Sequence, residues 1–209
     1  MDVARSLAGA RSIGKDASMT DVTEVSESFD GRVRGSIIRS LIDTYESDHG
    51  ERALGRLLAD LSPESRLCCL QGIMESSWYP QQMLVELAWA TSRRLGPEGC
   101  TDLAFRSQSR HFLRLRRLVH RDTGPKALLP CITKAWRRFL DTGKVRLDRL
   151  DERGAVIIVE DNPAVLEPGY AEAILGSMFA LVRMGGASHV SGSCERQSPG
   201  TTILEISWE

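Results

Sequence analysis

No stretch of the 209-residue chain approaches the roughly 18 consecutive apolar residues that a membrane-spanning helix needs. The first residues, MDVARSLAGARSIGKDAS, lack the continuous apolar core of a signal peptide. The protein is therefore expected to stay in the cytoplasm where it is made. Cysteine is sparse and odd in number, five in all, with no CxxC pair and no Cys/His quartet at zinc-like spacing. That argues against a disulfide framework and against a zinc site. Charge of one sign is also missing: 27 Lys and Arg stand against 28 Asp and Glu, for a net charge of -1. Without a global field, and with no recognised DNA- or RNA-reading motif, nucleic acid is not an expected partner, and any electrostatic partner must meet a local patch. HExxH, GxSxG, a Walker loop and GxGxxG after a strand are all absent. No paired acid/base constellation stands out either, so the chain is not expected to be an enzyme.

What remains has an ordered grammar. Residues 1 to about 30 are rich in small and polar types with no sustained period, and read as a flexible tail ahead of one domain over residues 31–209. From Arg32, Val33, Ile37, Ile38, Leu41, Ile42 and Tyr45 recur at helical spacing until Gly50. A short helix through Leu54, Leu57 and Leu58 follows. Ser62-Pro63-Glu64-Ser65 then reads as an N-cap with Pro at the first helical position. Trp78-Tyr79-Pro80 precedes a helix that Gly96-Pro97 stops, the next helix runs from about Glu98 to His120, and Gly124-Pro125 opens another through Trp136, Phe139 and Leu140. Beyond Gly143 the period changes to two, and the C-terminal third reads β-β-α-β-β. Helices segregated ahead of a small antiparallel sheet make an α+β fold.

Two features are candidates for binding. Arg106, Arg110, Arg114, Arg117 and Arg121 fall at three- and four-residue steps and share one helix face, which suits an acidic protein partner. Trp78, Tyr79, Trp136 and Phe139 are the aromatic side chains for a small hydrophobic ligand, with Tyr79 and Trp136 favoured because polar or turn residues adjoin them. The plain reading of the stripe is a solvated face, and of the aromatics an ordinary core. Cys68 and Cys69 read as small buried thiols. His111 and His120 sit on the basic helix without metal-ligand spacing, so neither haem nor zinc is expected as a cofactor.

SSWYP at 76–80, ALLPCITKAWRRFLDTGKV at 127–145 and GASHVSGSCERQSPGTTILEISW at 186–208 together resemble a paralogous family of myxobacterial proteins. That family is similar to the 4-vinyl-reductase-like domains, a group that includes haem-nitric-oxide-binding proteins and the sensor domains of aromatic-responsive regulators. The resemblance implies a helical N-terminal part, a small antiparallel sheet, frequent homodimers and a pocket between helices and sheet. Relatives often carry paired cysteines at the last hairpin. Here Cys194 matches the first and Thr202 stands at the second, which removes the zinc pair. The expected function is a non-catalytic ligand-sensing or partner-binding module in bacterial signalling. A protein-interaction adaptor or dimer without a small ligand is the alternative.

Overall fold

The computed structural model describes residues 30–115 and 124–209, with side chains described up to Arg110 before that gap. The tail, Arg117, Arg121 and His120 thus lie outside the described residues, as do the side chains of His111 and Arg114.

The chain is α+β. Strand β1, Arg32–Arg34, leads into helix α1, Gly35–His49. Val33 is therefore in a strand, where periodicity placed it in a helix. The reason is a partner 46 residues on: β1 pairs antiparallel with β2, Trp78–Pro80, placing Val33 opposite Tyr79. The first amides of α1 find no side-chain cap. Instead Gly35 N donates to Ser77 O at 2.9 Å and Ser36 N to Glu75 O at 3.1 Å. A Cβ on Gly35 would lie 2.1 Å from Met74 O, so this close approach requires glycine.

Helix α2 spans Glu51–Ala59 and α3 spans Pro63–Gln71, where Ser62 Oγ accepts from Ser65 N as the N-cap. Cys68 and Cys69 on α3 are half-buried, where full burial was expected. They pack on the core from a helix whose single fully buried residue is Ser65. Helix α4, Gln81–Leu115, breaks at Gly96, whose φ of 76° no ordinary helical residue adopts, with Pro97 behind it. Helix α5, Pro125–Ala135, ends before Trp136; residues Trp136–Arg138 form a 3-10 turn, so Trp136 and Phe139 do not continue the helix. The turn is drawn off by β1, since Arg34 N donates to Phe139 O and Val33 bridges to Leu140.

Strands β3, Lys144–Leu150, β4, Gly154–Glu160, β5, Val190–Ser198, and β6, Thr201–Trp208, form an antiparallel sheet ordered β3-β4-β6-β5. Alternation aims Ala155, Ile157 and Val159 of β4 and Leu204, Ile206 and Trp208 of β6 into the core. Helix α6, Tyr170–Met184, packs on the sheet and on α4, which is why it is apolar almost all round. Among the described residues no helix is long and apolar enough to cross a membrane.

Candidate functional site: an apolar cavity on α6

Four helices and one turn leave a cavity of about 130 Å³ between them. Helix α1 contributes Ile37 and Leu41; α4 contributes Leu84, Ala104 and Gln108; α5 contributes Cys131, Ile132 and Ala135. Trp136, Phe139 and Leu140 close one end, and Tyr170, Ala173, Ile174, Ser177, Met178 and Leu181 of α6 form the remaining wall. The positions on α6 recur at three and four residues, one helical face. The space is close to the ~150 Å³ of an apolar protein cavity that takes up benzene.

The wall is held by hydrogen bonds. Trp136 Nε1 donates to Thr142 O at 2.9 Å, which fixes the indole plane. Gln81, the first residue of α4, donates through Nε2 to Tyr170 Oη at 2.7 Å and to Asn162 Oδ1 at 2.9 Å. Thr142 Oγ1 donates to Gln81 Oε1, and Asn162 Oδ1 also accepts from Ala164 N at 3.3 Å. Burial pushes the Tyr170 hydroxyl up to about 12 against the opposing pull of Asn162 and Gln81. The phenol is therefore neutral, and the cavity meets a dipole rather than a charge. Cys131 is exposed, which places one rim of the cavity at the surface of α5.

The structure brings Trp136 and Phe139 of the sequence candidates to this cavity. Tyr79 and Trp78 are elsewhere. Tyr79 Oη accepts from Met74 N at 2.9 Å, and Trp78 lies under the Arg34 guanidinium, 4.3 Å from the ring centre. Both secure the β1–β2 ribbon. Of the arginine stripe, Arg106 pairs with Asp48 and Asp102, both at 2.9 Å, and Arg110 reaches Asp48 at 3.5 Å and Thr44 Oγ1 at 3.4 Å. These two guanidinium groups tie α4 to the end of α1. Sequence reasoning missed Cys131, Tyr170, Ser177 and Met178. The i, i+4 step from Ile132 to Trp136 was the available signal for α5, whereas α6 reads as uniformly apolar and hides which side is lined.

No protein-family model and no curated protein matches the chain. Solved structures do. An H-NOX protein from K. algicida, in the unliganded Fe(II) state, matches at 12% identity over 84% of this chain and 96% of that one, with a TM-score of 0.62. An H-NOX protein from S. oneidensis in the Fe(II)NO state matches at 12% identity over 84% and 99%, TM-score 0.60. A structure concerned with tuning haem redox potential through porphyrin distortion matches at 10% identity over 84% and 99%, TM-score 0.54. At these identities the likeness is one of fold.

These matches overturn the expectation that haem is not a cofactor, because proteins solved with this fold hold an iron haem. The lining can be tested against that group. Its walls are apolar, as porphyrin faces require, and three of its side chains, the Cys131 thiol, the Met178 thioether and the Tyr170 phenol, are of types that ligate haem iron. The donor chemistry fits. The volume of about 130 Å³ suits one ring, so a macrocycle requires the walls to part.

Proposed function

We propose that this chain is a non-catalytic ligand-sensing module of bacterial signalling whose sensory site is the cavity on α6. The observation that carries this reading is the cavity itself: an apolar chamber walled by four helices, with Tyr170 and Gln108 among its few polar groups. Among the described residues Cys131 and Tyr170 are the titratable ones in the lining, and burial keeps the Tyr170 phenol neutral. Haem is the first occupant to consider, with Cys131 as the side chain to hold the iron from the α5 rim. Haem bound there would supply an iron centre for a small diatomic gas.

Occupancy has a route to the rest of the fold. Tyr170 opens α6, Gln81 opens α4, and Thr142 and Asn162 flank the ends of β3 and β4. A ligand that displaces α6 strains the hydrogen bonds joining the helical part to the sheet.

The test is to titrate hemin into the purified full chain and record the visible spectrum with the native mass. A Soret band at one haem per chain that shifts or vanishes in Cys131→Ser is the expected result. The volume favours a second occupant, a single apolar ring, which a thermal shift with benzene or indole detects. If neither hemin nor these rings bind, the sensing reading fails and an adaptor or dimer without a small ligand takes its place.

A further inference from the structure

The opposite side of α6 carries a second, larger concavity of about 700 Å³, which the proposed function leaves unused. One wall is α4 just past its break, presenting Glu98, Asp102 and Phe105; the floor is Leu175 and Phe179 of α6; the other wall is β5 from Val190 to Cys194. The alternation of β5 sets which of its residues face the concavity. Val190, Gly192 and Cys194 stand opposite Trp208, Ile206 and Leu204, the buried residues of β6, so they face the helices. A Cβ on Gly192 would lie 2.1 Å from Glu205 O, so the close approach of β5 to β6 requires glycine there.

Three properties coincide at this groove. β5 ends the strand order, so its outer edge pairs with no other strand among the described residues. Edge strands are ordinarily guarded by charge or proline, yet Val190-Ser191-Gly192-Ser193-Cys194 has neither. The α4 wall is acidic: Asp102 is shared with Arg106, and Glu98 has no ion-pair partner among the described residues. Arg183, the one Lys or Arg among the described lining residues, donates into Ala187 O at 2.6 Å and into Ser188 O, so it is turned onto backbone; His189 also lines the groove. Finally, Phe105 and Phe179 are both half-buried in the groove, the surface on which the stem and guanidinium of an arginine pack.

We infer that this groove docks an extended basic segment of a partner protein, which adds a strand to β5 and lays an arginine or lysine side chain over Phe105 and Phe179 toward Glu98 and Asp102. Backbone hydrogen bonds along β5 hold the segment, and the alternate side chains that enter the groove select its charge. The sign is opposite to that suggested by the arginine stripe, whose described members are already paired with Asp48. The inference does not depend on what fills the cavity.

The probe is a blocked decapeptide of alternating Val and Arg, with a Val/Glu twin and a copy N-methylated at alternate backbone amides, each titrated into the ¹⁵N-labelled full chain. The expected result is saturable binding of the Arg peptide with amide shifts centred on residues 190–194, and binding at least about tenfold weaker for both control peptides. Glu98→Lys/Asp102→Lys, two exposed positions whose folded state is verified by thermal unfolding, is expected to weaken the Arg peptide by about tenfold or more. Equal binding of the Glu twin, indifference to the double variant, or shifts elsewhere overturns the inference. Indifference to N-methylation overturns strand addition. Self-association through β5 that the peptide fails to displace assigns the groove to a second copy and overturns it as well.

Discussion

Replacing glycine by alanine is expected to have opposite effects at two helical positions of this chain. Gly176 lies in α6 where it crosses α4, and a Cβ there would sit 2.1 Å from Thr101 O and 2.9 Å from Ala104 Cβ. Neither neighbour is the free end of a flexible side chain. The helices must separate by about 1 Å to restore ordinary contact, and overpacking of this kind costs about 1–3 kcal/mol, occasionally more. The helix-propensity gain of alanine, about 1 kcal/mol, offsets part of it. With the clash against backbone at the upper end of that range, Gly176→Ala should destabilise by about 2 kcal/mol, or about 4–8 °C in Tm for a domain of this size. Gly55, in α2, has nothing within 4 Å of the corresponding point. There the same substitution has propensity alone and should stabilise by about 0.5–1 kcal/mol. Urea unfolding monitored by circular dichroism, with equal m-values, measures both. A neutral or stabilising Gly176→Ala would refute the account of the α4–α6 crossing, and a destabilising Gly55→Ala would refute the use of open space as the criterion.

Two further predictions concern burial. Tyr170 is held up to about 12 against 10.0 and Cys100 to about 12 against 9.0, each chiefly by burial. Both are raised, so their contribution is complete below pH 9 and is lost as pH climbs toward 12; the Tyr170 share is about 3 kcal/mol. Tyr170→Phe should flatten the decline above pH 10, and one tyrosine should ionise near pH 12 by its phenolate absorbance; ionisation of every tyrosine near pH 10 in the folded protein contradicts this. Ser62→Ala removes the cap of α3 and the hydroxyl that donates to the buried Glu86 carboxylate at 3.0 Å. It should cost about 1–2 kcal/mol by urea unfolding, and a loss under about 0.5 kcal/mol argues against the cap.

How far the sequence could be read depended on the range over which each feature is decided. The cap at Ser62-Pro63, the break at Gly96-Pro97 and the period-two strands of the C-terminal third all occur where expected. Each rests on interactions within a few residues: a side chain on its own helix terminus, a φ that only glycine adopts freely, an alternation imposed by the pleat. The ribbon of β1 and β2 was invisible for the converse reason. Three residues each carry no period, and Val33 looks helical until Tyr79 and Leu140 are brought to it.

The site divides along the same line. Trp136 and Phe139 stand out by type, and the structure seats both at the cavity, whereas Tyr79 and Trp78 of the same type are spent on the ribbon. Sequence by itself determined the fold class, the succession of helices followed by the β-β-α-β-β third and the mix of apolar walls available to a ligand, because periodicity and composition are properties of the chain. Only the tertiary structure decided which walls meet. The cavity draws on α1, α4, α5 and α6, and the Tyr170 hydroxyl is fixed by Gln81, 89 positions away. Packing of distant segments makes a void or fills it, and no local pattern records which.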